Sequence, residues 1–469
     1  MVGDIKDRAS GRRRAHDFSA LRRKITGAVT IRGDAAWDEA RQAWNLHVDQ
    51  RPVAVAEPET VADVVAIVDF ARERGLKVAA QGTGHNASAL ASLQDTILVR
   101  THRMRVVDID PETCRARAQA GALWADVAVP ASEYGLAALA GSSHDVGVVG
   151  YSLGGGLSWL ARKYGLATNS ITAIQIVTAD GRIRLVDDQH DPDLFWALRG
   201  GGGNFGVVTA IEFRLYPIQE VYAGMLVFPW ERAREVLCAW REWTDTAPAE
   251  ITTSARILQI PPLPDIPEPL RGRSLVVIDG ACVGDEADGA EVIAPLRALG
   301  PELDTFAMIG PAQLLQLHMD PPEPVPVTGD GAMLDVVPVE AIDELVKVAG
   351  PGSGSPLLIV ELRHLGGAVG READHHGALA KLDGDYAFFA LGMAPDEETA
   401  EAVAAHVDVV RGALTEWDAG KRYLNFSERP VDTSCAYSAK AYRRLRAVKT
   451  LVDPHDVMKA NHPIPPITD

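Results

Sequence analysis

The stretch Val78-Ala79-Ala80-Gln81-Gly82-Thr83-Gly84-His85-Asn86 indicates the fold more directly than any other part of this chain. A short apolar run ends in two glycines and then a histidine, which is typical of a tight turn that follows a β-strand. In such a turn, backbone N–H groups are free to point at an anion. Because a lone histidine is most often a structural residue, the turn by itself predicts an anion site and no particular chemistry.

Local signals also predict a helix just before this turn. Thr60 stands three residues before Asp63, as in a capping box, and apolar side chains follow at helical spacing. Gly75 occupies the position at which helices commonly end. We therefore predict a helix between Thr60 and Gly75, and a strand over Leu76–Ala80 that leads into the turn.

Three further segments carry glycine-rich or polar patterns: Val146-Gly147-Val148-Val149-Gly150-Tyr151-Ser152-Leu153-Gly154-Gly155-Gly156, Gly200-Gly201-Gly202-Gly203-Asn204-Phe205-Gly206-Val207-Val208, and Tyr423-Leu424-Asn425-Phe426. Glycine at this density usually marks a close approach of the backbone to another group. The second segment is not a dinucleotide-binding fingerprint, because Val207, Val208 and Ile211 continue as a strand where a helix would be required. In isolation, the Tyr-x-Asn pattern is most often ordinary strand.

Taken in order, the four motifs resemble those of flavoproteins of the vanillyl-alcohol oxidase superfamily, in particular its berberine-bridge-enzyme-like FAD-linked oxidases. The resemblance extends from about Arg51 to Pro466. It implies an α+β fold, with a two-subdomain FAD-binding domain and a separate antiparallel-sheet substrate domain. It also implies an oxidase that takes a hydride from an alcohol or amine of a small or mid-sized secondary metabolite. The electrons would pass to dioxygen and give hydrogen peroxide.

The same resemblance implies how FAD is held. In that family, the histidine after the glycine turn is bonded to the 8α-methyl group of the flavin, and the matching residue is His85. The usual arginine four residues earlier is Gln81 in this chain. Many relatives form a second bond through a cysteine, whose place aligns with Ser143, and a hydroxyl is a far weaker nucleophile than a thiolate. We therefore expect FAD to be covalently bound through His85 only, as in the mono-covalent 6-hydroxy-D-nicotine oxidase branch. The remaining residues assigned to cofactor binding are Gly82, Thr83, Gly84, Asn86, Ser142, Val146, Gly147, Gly150, Tyr151, Gly154, Gly155, Gly206, Val208 and Asn425.

On the substrate side, the resemblance points to Tyr423, Glu361 and Asn425. An alcohol that loses a hydride must also lose its O–H proton, and a phenol with a lowered pKa can accept it. We expect Tyr423 to be the main base, with Glu361 and Asn425 positioning the substrate. Glu361 is the alternative base, and a solvated strand residue is its simplest interpretation. A small valine at the position of Val146 accompanies oxidase activity in relatives.

The pattern of strands and helices predicts three segments: an FAD-binding domain over 28–220, a substrate domain over 221–424, and a return segment over 425–469 that completes the first domain. Within the substrate domain, strands are predicted at Met225–Phe228, Leu275–Ile278, Leu357–Leu362 and Tyr386–Leu391, and helices at Trp230–Thr246, Ala287–Leu299 and Glu397–Leu414. Two proline-rich stretches, 261–269 and 321–326, are predicted as surface loops. They either connect elements or border a substrate entrance.

Composition narrows the possible partners. The chain has 469 residues and a formal net charge of −18, which argues against binding to nucleic acid. Four cysteines stand far apart with no metal-ligand spacing, so a reduced, cytoplasmic protein without a metal site is expected. Residues 1–15 are polar and lack a secretory signal, and no segment is apolar enough to span a membrane. No feature specifies an oligomeric state. A dehydrogenase with another acceptor, a carbohydrate oxidase and a non-catalytic flavin-binding protein are the alternatives.

Overall fold

The computed structural model describes residues 16–90, 92–262, 264, 266, 268 and 270–468. Two predictions, the polar segment 1–15 and the prolines at 267 and 269, therefore lie outside the described residues. The described chain has the predicted α+β fold, with a mixed sheet, an antiparallel sheet and a two-stranded pair (Leu136–Ala137 with Tyr216–Pro217) in its first half and a larger antiparallel sheet in a separate domain.

The first sheet carries the glycine turn at the end of an edge strand. Among the described residues it has four strands, in the spatial order Ala28–Thr30, Ala54–Glu57, Thr96–Arg100 and Lys77–Gln81. The helix Val61–Glu73 covers this sheet and begins with the predicted capping box, in which Thr60 and Asp63 each accept a hydrogen bond from the other's backbone N–H. The predicted strand is confirmed at Lys77–Gln81, and it delivers the chain directly into the turn.

The second sheet lies beside the first. Its described strands are, in spatial order, Val107–Asp110, Arg115–Gln119, Gly206–Arg214, Ile171–Thr178 and Ile183–Val186. The strand predicted after the second glycine cluster is confirmed, since Gly206–Arg214 pairs with two neighbours. Helices of this part of the chain are Trp124–Glu133, Val148–Leu153 and Pro192–Gly201, with short helices at Ser19–Lys24, Trp37–Ala40 and Ala161–Tyr164.

The third sheet is antiparallel and begins at Val221. The described strands follow the order Leu303–Asp304, Val221–Pro229, Ser274–Cys282, Ile251–Gln259, Ile359–His364, Tyr386–Met393 and Val327–Leu334, and Ala307–Ile309 also pairs with Val221–Pro229. The helices that accompany this sheet are Ala233–Thr244, Glu286–Arg297, Val339–Ala349 and Glu397–Ala413. Their buried aliphatic and aromatic side chains form a core separate from those of the first two sheets.

The C-terminal segment returns to the first sheet. After the helix Ala439–Val452, Met458 forms a parallel bridge with Val78, immediately before the glycine turn. Lys449 is completely buried in this region, and its ammonium group donates hydrogen bonds to Asp453 at 2.6 Å and to the Asn204 carbonyl at 2.9 Å. The C-terminal segment therefore contacts the first part of the chain, as the resemblance implies. The domain boundaries at 220 and 424 stay a prediction.

Several elements differ from the sequence-based expectation. Leu424–Phe426 forms a 3₁₀ turn and not a strand, so the Tyr-x-Asn side chains project from a turn. The helix Trp124–Glu133 was not predicted, and it contains Pro130 in its interior. The strand Val327–Leu334 was also missed, because two glycines and a buried aspartate lower its β-propensity.

Candidate functional site

The glycine turn presents backbone donors that the described chain does not use. Gly84 has a φ of +95°, a left-handed conformation that favours glycine. No hydrogen bond among the described residues uses the backbone N–H groups of Thr83, Gly84 or His85. The segment at Gly147 lies against this turn, since a Cβ added to Gly147 would be 4.0 Å from the Thr83 methyl carbon, and a Cβ added to Gly150 would meet open space. Two of the predicted cofactor segments therefore meet around unsatisfied N–H groups.

His85 is held by two residues that sequence reasoning did not identify, Trp44 and Asp145. The imidazole stacks on the Trp44 ring, with 4.0 Å between the ring centroids and 22° between the planes. His85 Nε2 lies 3.2 Å from Asp145 Oδ1, and the same carboxylate accepts hydrogen bonds from the Trp44 indole N–H and, at 2.8 Å, from the Ser143 hydroxyl. Burial by itself would raise the pKa of Asp145, but the hydrogen bonds from His85, Ser143 and Trp44 lower it below the usual value. Asp145 is therefore a carboxylate at neutral pH.

Gln81 is occupied by another protein side chain. Its amide exchanges two hydrogen bonds with the Gln50 amide, at 2.8 and 3.2 Å, and both residues are buried. A Cβ on Gly84 would lie 2.8 Å from the Gln81 amide nitrogen. Gln81 thus supports the turn from behind, in the place where relatives carry a cation.

Tyr423, Asn425 and Tyr151 form one hydrogen-bonded group next to the three consecutive glycines. The Asn425 amide donates to the Tyr423 hydroxyl at 3.1 Å and to the Tyr151 carbonyl at 3.0 Å. A Cβ on Gly154 would lie only 1.9 Å from the Asn425 side-chain oxygen, and one on Gly155 only 2.9 Å from the Tyr423 ring. These two glycines are required by the approach of Asn425 and Tyr423, whatever else they contact.

The charge state of Tyr423 differs from the sequence-based expectation. Burial raises the pKa of Tyr423 well above its usual value, although the Asn425 hydrogen bond and the nearby Arg363 cation oppose the rise. The lowered pKa that a phenolate base needs is therefore not found, because the desolvation of the ring outweighs its polar contacts. The pKa of Tyr151 is also raised by burial, and its hydroxyl has no hydrogen-bond partner among the described residues.

Glu361 belongs to a buried cluster of charges on the substrate-domain sheet. Arg363 donates two hydrogen bonds to Glu361 Oε1, at 2.9 and 2.8 Å, and His318 Nε2 lies 3.5 Å from the same oxygen. Asp320 accepts hydrogen bonds from His318 Nδ1 at 2.7 Å and from the Ser142 hydroxyl at 2.8 Å. Burial alone would raise the pKa of Glu361, but Arg363 and His318 lower it strongly, so Glu361 is ionised. The interpretation as a solvated residue is wrong, since Glu361 is only 2% exposed.

Arg363 and Ser142 connect this cluster to the rest of the site. The Arg363 guanidinium lies 5.4 Å from the Phe426 ring centroid, and the Tyr423 ring lies 5.0 Å from the same ring. Ser142 is adjacent in sequence to Ser143, which hydrogen-bonds the carboxylate beside His85. His318 and Asp320 were not identified from the sequence. The residue between them, Met319, has a φ of +58°, and this strained turn brings the two flanking side chains together.

The remaining predicted residues divide into two groups. Asn86 contacts the residue that follows the Leu424–Phe426 turn, since its amide donates a hydrogen bond to the Ser427 carbonyl at 3.1 Å. The Val146 carbonyl accepts a hydrogen bond from the Trp124 backbone N–H at 3.0 Å. Gly206 and Val208 lie in the second sheet: a Cβ on Gly206 would be 2.5 Å from a neighbouring strand carbonyl, and Val208 is buried. The structure shows strand packing for these last two positions.

Metal chemistry and disulfides have no visible basis in the described part of the chain. No group of three or more His, Cys, Asp or Glu side chains there could hold a metal ion, and no helix in it is long and apolar enough to cross a membrane. The four cysteines are free thiols.

Comparison with known proteins defines the class of the chain. Residues 52–187 match the model of an FAD binding domain family. The (R)-6-hydroxynicotine oxidase of Paenarthrobacter nicotinovorans is 28% identical, over 94% of this chain and 97% of the relative. A xylooligosaccharide oxidase of Thermothelomyces thermophilus is 34% identical over 46% of this chain and 45% of its own length. The solved structure of BBE-like 1 from Physcomitrella patens has the same fold, with a TM-score of 0.83, 19% identity and coverage of 97% and 100%.

The chain is therefore an FAD-dependent oxidoreductase, similar over nearly its whole length to FAD-linked oxidases of the vanillyl-alcohol oxidase superfamily. Its own residues fit that cofactor. Unused N–H groups at Thr83–His85 suit a pyrophosphate, and the open space at Gly150 leaves room for it. The buried, unpartnered Tyr151 hydroxyl suits a polar group of a bound ring.

Proposed function

We propose that the protein is an FAD-dependent oxidase that removes a hydride from a carbon bearing an alcohol or amine in a small or mid-sized metabolite. The observation that carries this proposal is that the Gly82–His85 turn, the buried Tyr423 and Glu361, and the half-buried Asn425 belong to one connected site. Ser142 and Ser143 link the two halves through Asp320 and Asp145. An anion-binding turn beside buried groups that hold and move protons is the arrangement such an oxidation needs.

FAD, when bound, supplies the hydride acceptor, and the protein positions it and the substrate. Under this proposal, the residues around Gly82–Asn86 and Ser142–Tyr151 hold the cofactor, and His85 forms the only covalent bond. Ser143 supports the single bond, because its hydroxyl is already committed to Asp145 at 2.8 Å. The four thiols lie outside the 142–146 segment in sequence, and their free state is compatible with a cytoplasmic location.

We assign the proton-accepting role to Glu361 and a positioning role to Tyr423 and Asn425. Glu361 is ionised in the cluster, whereas burial keeps the Tyr423 hydroxyl protonated. Because Arg363 and His318 lower the pKa of Glu361, the role requires that bound substrate displace part of its contact with Arg363. The Asn425 amide fixes the direction of the Tyr423 hydroxyl at 3.1 Å. Tyr423 is therefore suited to donate a hydrogen bond to a substrate oxygen or nitrogen, while Glu361 takes the proton.

We propose dioxygen as the electron acceptor, giving hydrogen peroxide, because the small Val146 side chain lies in the segment next to the glycine turn. A carbohydrate oxidase is the second candidate, and the similarity to a xylooligosaccharide oxidase favours it. A dehydrogenase would share the site and differ in its slow reaction with dioxygen.

A substrate panel tests the proposal. Purified protein is incubated in air with 6-hydroxynicotine, xylobiose, glucose and a series of simple alcohols and amines, and peroxide is measured with a coupled peroxidase. We expect peroxide with at least one alcohol or amine. Glu361→Gln protein, tested as a matched sample, should produce much less peroxide. Reduction of a dye or quinone with slow reoxidation in air would identify a dehydrogenase. Flavin that no compound reduces would contradict the proposal and indicate a flavin-binding protein.

A further inference from the structure

We propose that Asp145 is a positioning residue for the covalent attachment of FAD, acting through His85. This inference rests on the proposed covalent bond between His85 and FAD. It goes beyond that bond because it names three side chains that position His85 for the reaction. The group consists of Asp145, Trp44 and Ser143, and we call it the His85 cradle.

The cradle fixes the imidazole from two directions. The Trp44 ring lies against its face at 4.0 Å, and Asp145 meets its edge at Nε2, 3.2 Å away. Trp44 is itself tied to the glycine turn, because its backbone N–H donates to the Thr83 carbonyl at 3.0 Å. Two of the three cradle members thus meet both the ring and each other, which leaves His85 little freedom to rotate.

The carboxylate is more strongly held than a surface aspartate. One oxygen accepts from Ser143 and faces His85, and the other accepts from the Trp44 indole. Asp145 side-chain exposure is only 15%. His85 Nε2 is buried without an aligned hydrogen-bond partner among the described residues, and Asp145 Oδ1, 3.2 Å away, is the acceptor within reach of its N–H.

A small rotation of the imidazole would align Nε2–H with Asp145 and so select the tautomer of His85. An imidazole that donates Nε2–H to a carboxylate keeps its lone pair on Nδ1, as in hydrolase triads, where an aspartate sets the orientation and tautomer of a histidine. A lone pair on a neutral ring is the nucleophile that the covalent bond requires. As the bond forms, positive charge develops on the ring, the Asp145 carboxylate stabilises that charge, and the Nε2 proton is then released to solvent.

Dioxygen is the final oxidant of the attachment reaction. An N–C bond forms between His85 Nδ1 and the flavin methyl carbon, while one methyl C–H bond and the His85 N–H bond break. Both hydrogens leave as protons, and the electron pair of the C–H bond first reduces the flavin. Dioxygen then takes that pair and the two protons to give hydrogen peroxide, so that the flavin is again oxidised.

The test measures attachment, which needs no substrate. Asp145→Asn, Trp44→Phe and wild-type protein are purified, incubated with excess FAD in air, denatured at intervals and run on a gel, where fluorescence reports covalent flavin. We expect attachment in Asp145→Asn to slow by about 10–100-fold, the usual effect of losing a carboxylate that orients a histidine. Trp44→Phe keeps the stacked ring and loses the N–H, so a smaller loss is expected. Asp145→Glu should recover part of the rate.

The matched control is Asp187→Asn, which removes a carboxylate 2.9 Å from His190 Nδ1 in the bend after Ile183–Val186, an edge strand of the second sheet. It should attach flavin at the wild-type rate. Reversibly bound FAD is quantified in every variant from the flavin released on denaturation. Wild-type attachment rates in Asp145→Asn at full FAD occupancy would overturn the inference. If Asp145→Asn fails to fold, Ser143→Ala provides the decision, since it removes one anchor of the carboxylate and must also slow attachment.

The experiment distinguishes failure of the proposed His85–FAD bond from failure of the role assigned to Asp145. Wild-type protein without covalent flavin, or His85→Ala protein that retains it, would contradict the bond to His85 and the inference with it. Attachment through His85 that ignores Asp145 would contradict the inference alone.

Discussion

Glu361 and Tyr423 differ in charge at neutral pH, and this difference decides their proposed roles. Glu361→Gln removes the ionised acceptor and keeps the size of the side chain. With an oxidised compound from the panel, we expect flavin reduction in stopped-flow to slow by about 10²–10⁴-fold in this variant. Tyr423→Phe should slow it less, because it removes one hydrogen bond from the substrate, and the content of bound FAD should stay unchanged in both. A larger loss in Tyr423→Phe would return the base to Tyr423.

Glu428 follows the Leu424–Phe426 turn, and we expect its carboxyl group to make the stability of the protein depend on pH. Its carboxyl is buried near Asp330, and burial raises its pKa to about 7; the Ser88 hydrogen bond opposes the rise, and the weaker effect of the Asp330 charge adds to it. Above pH 4.5, the unfolded chain loses this proton while the folded protein keeps it up to about pH 7. Stability therefore falls as pH rises through that window and remains lower above it.

We expect Glu428→Gln to raise the free energy of unfolding by about 1–3 kcal/mol at pH 8 and to leave it nearly unchanged at pH 4.5. Urea unfolding of the holoprotein at both pH values measures this, with exposed Glu401→Gln as the control. An equal effect at both pH values would show that the proton of Glu428 is not responsible.

Among the elements, the C-terminal helix depends on one buried cation. Lys449 satisfies the Asp453 carboxylate, which is fully buried and also accepts the Met458 backbone N–H at 2.8 Å. Lys449→Met leaves this carboxylate without its cation, so we expect a loss of about 3–5 kcal/mol in unfolding free energy. Lys440→Met, on the exposed side of the same helix, should change it by less than about 0.5 kcal/mol. Equal denaturant midpoints for the two variants would contradict this account.

Elements whose signals are local were predictable, and those set by distant partners were not. The helix Val61–Glu73 follows from a capping box within four residues, and the glycine turn follows from its own sequence. The Asp145 and Trp44 contact joins residues 101 positions apart, and no pattern near either one indicates it. The raised pKa of Tyr423 has the same origin, because burial is a property of the packed site and not of the Tyr-x-Asn motif.

At the scale of the whole molecule, Arg162 joins the cofactor-binding part to the large antiparallel sheet. Its guanidinium is buried and donates to the carbonyls of Leu365 at 2.8 Å, Ile251 at 2.7 Å and Pro248 at 2.9 Å. Arg162→Met leaves these carbonyls without donors, so we expect a loss on the order of 3 kcal/mol or more. Thermal unfolding checks this, with exposed Arg371→Met as the control. An unchanged melting temperature in Arg162→Met would show that the two parts do not depend on this contact.

The bridge between Val78 and Met458 also sets a sequence of events during protein synthesis. The strand that leads into the glycine turn is made early, whereas Met458 is translated 380 residues after Val78 (458 − 78). The four strands of the first sheet lie within residues 28–100, so only the bridge to Met458 has to wait for the later part of the chain, and domains normally fold as units once they are whole. A chain that ends before Met458 would lack this bridge beside the glycine turn, and we expect it to retain flavin less well than the longer chain.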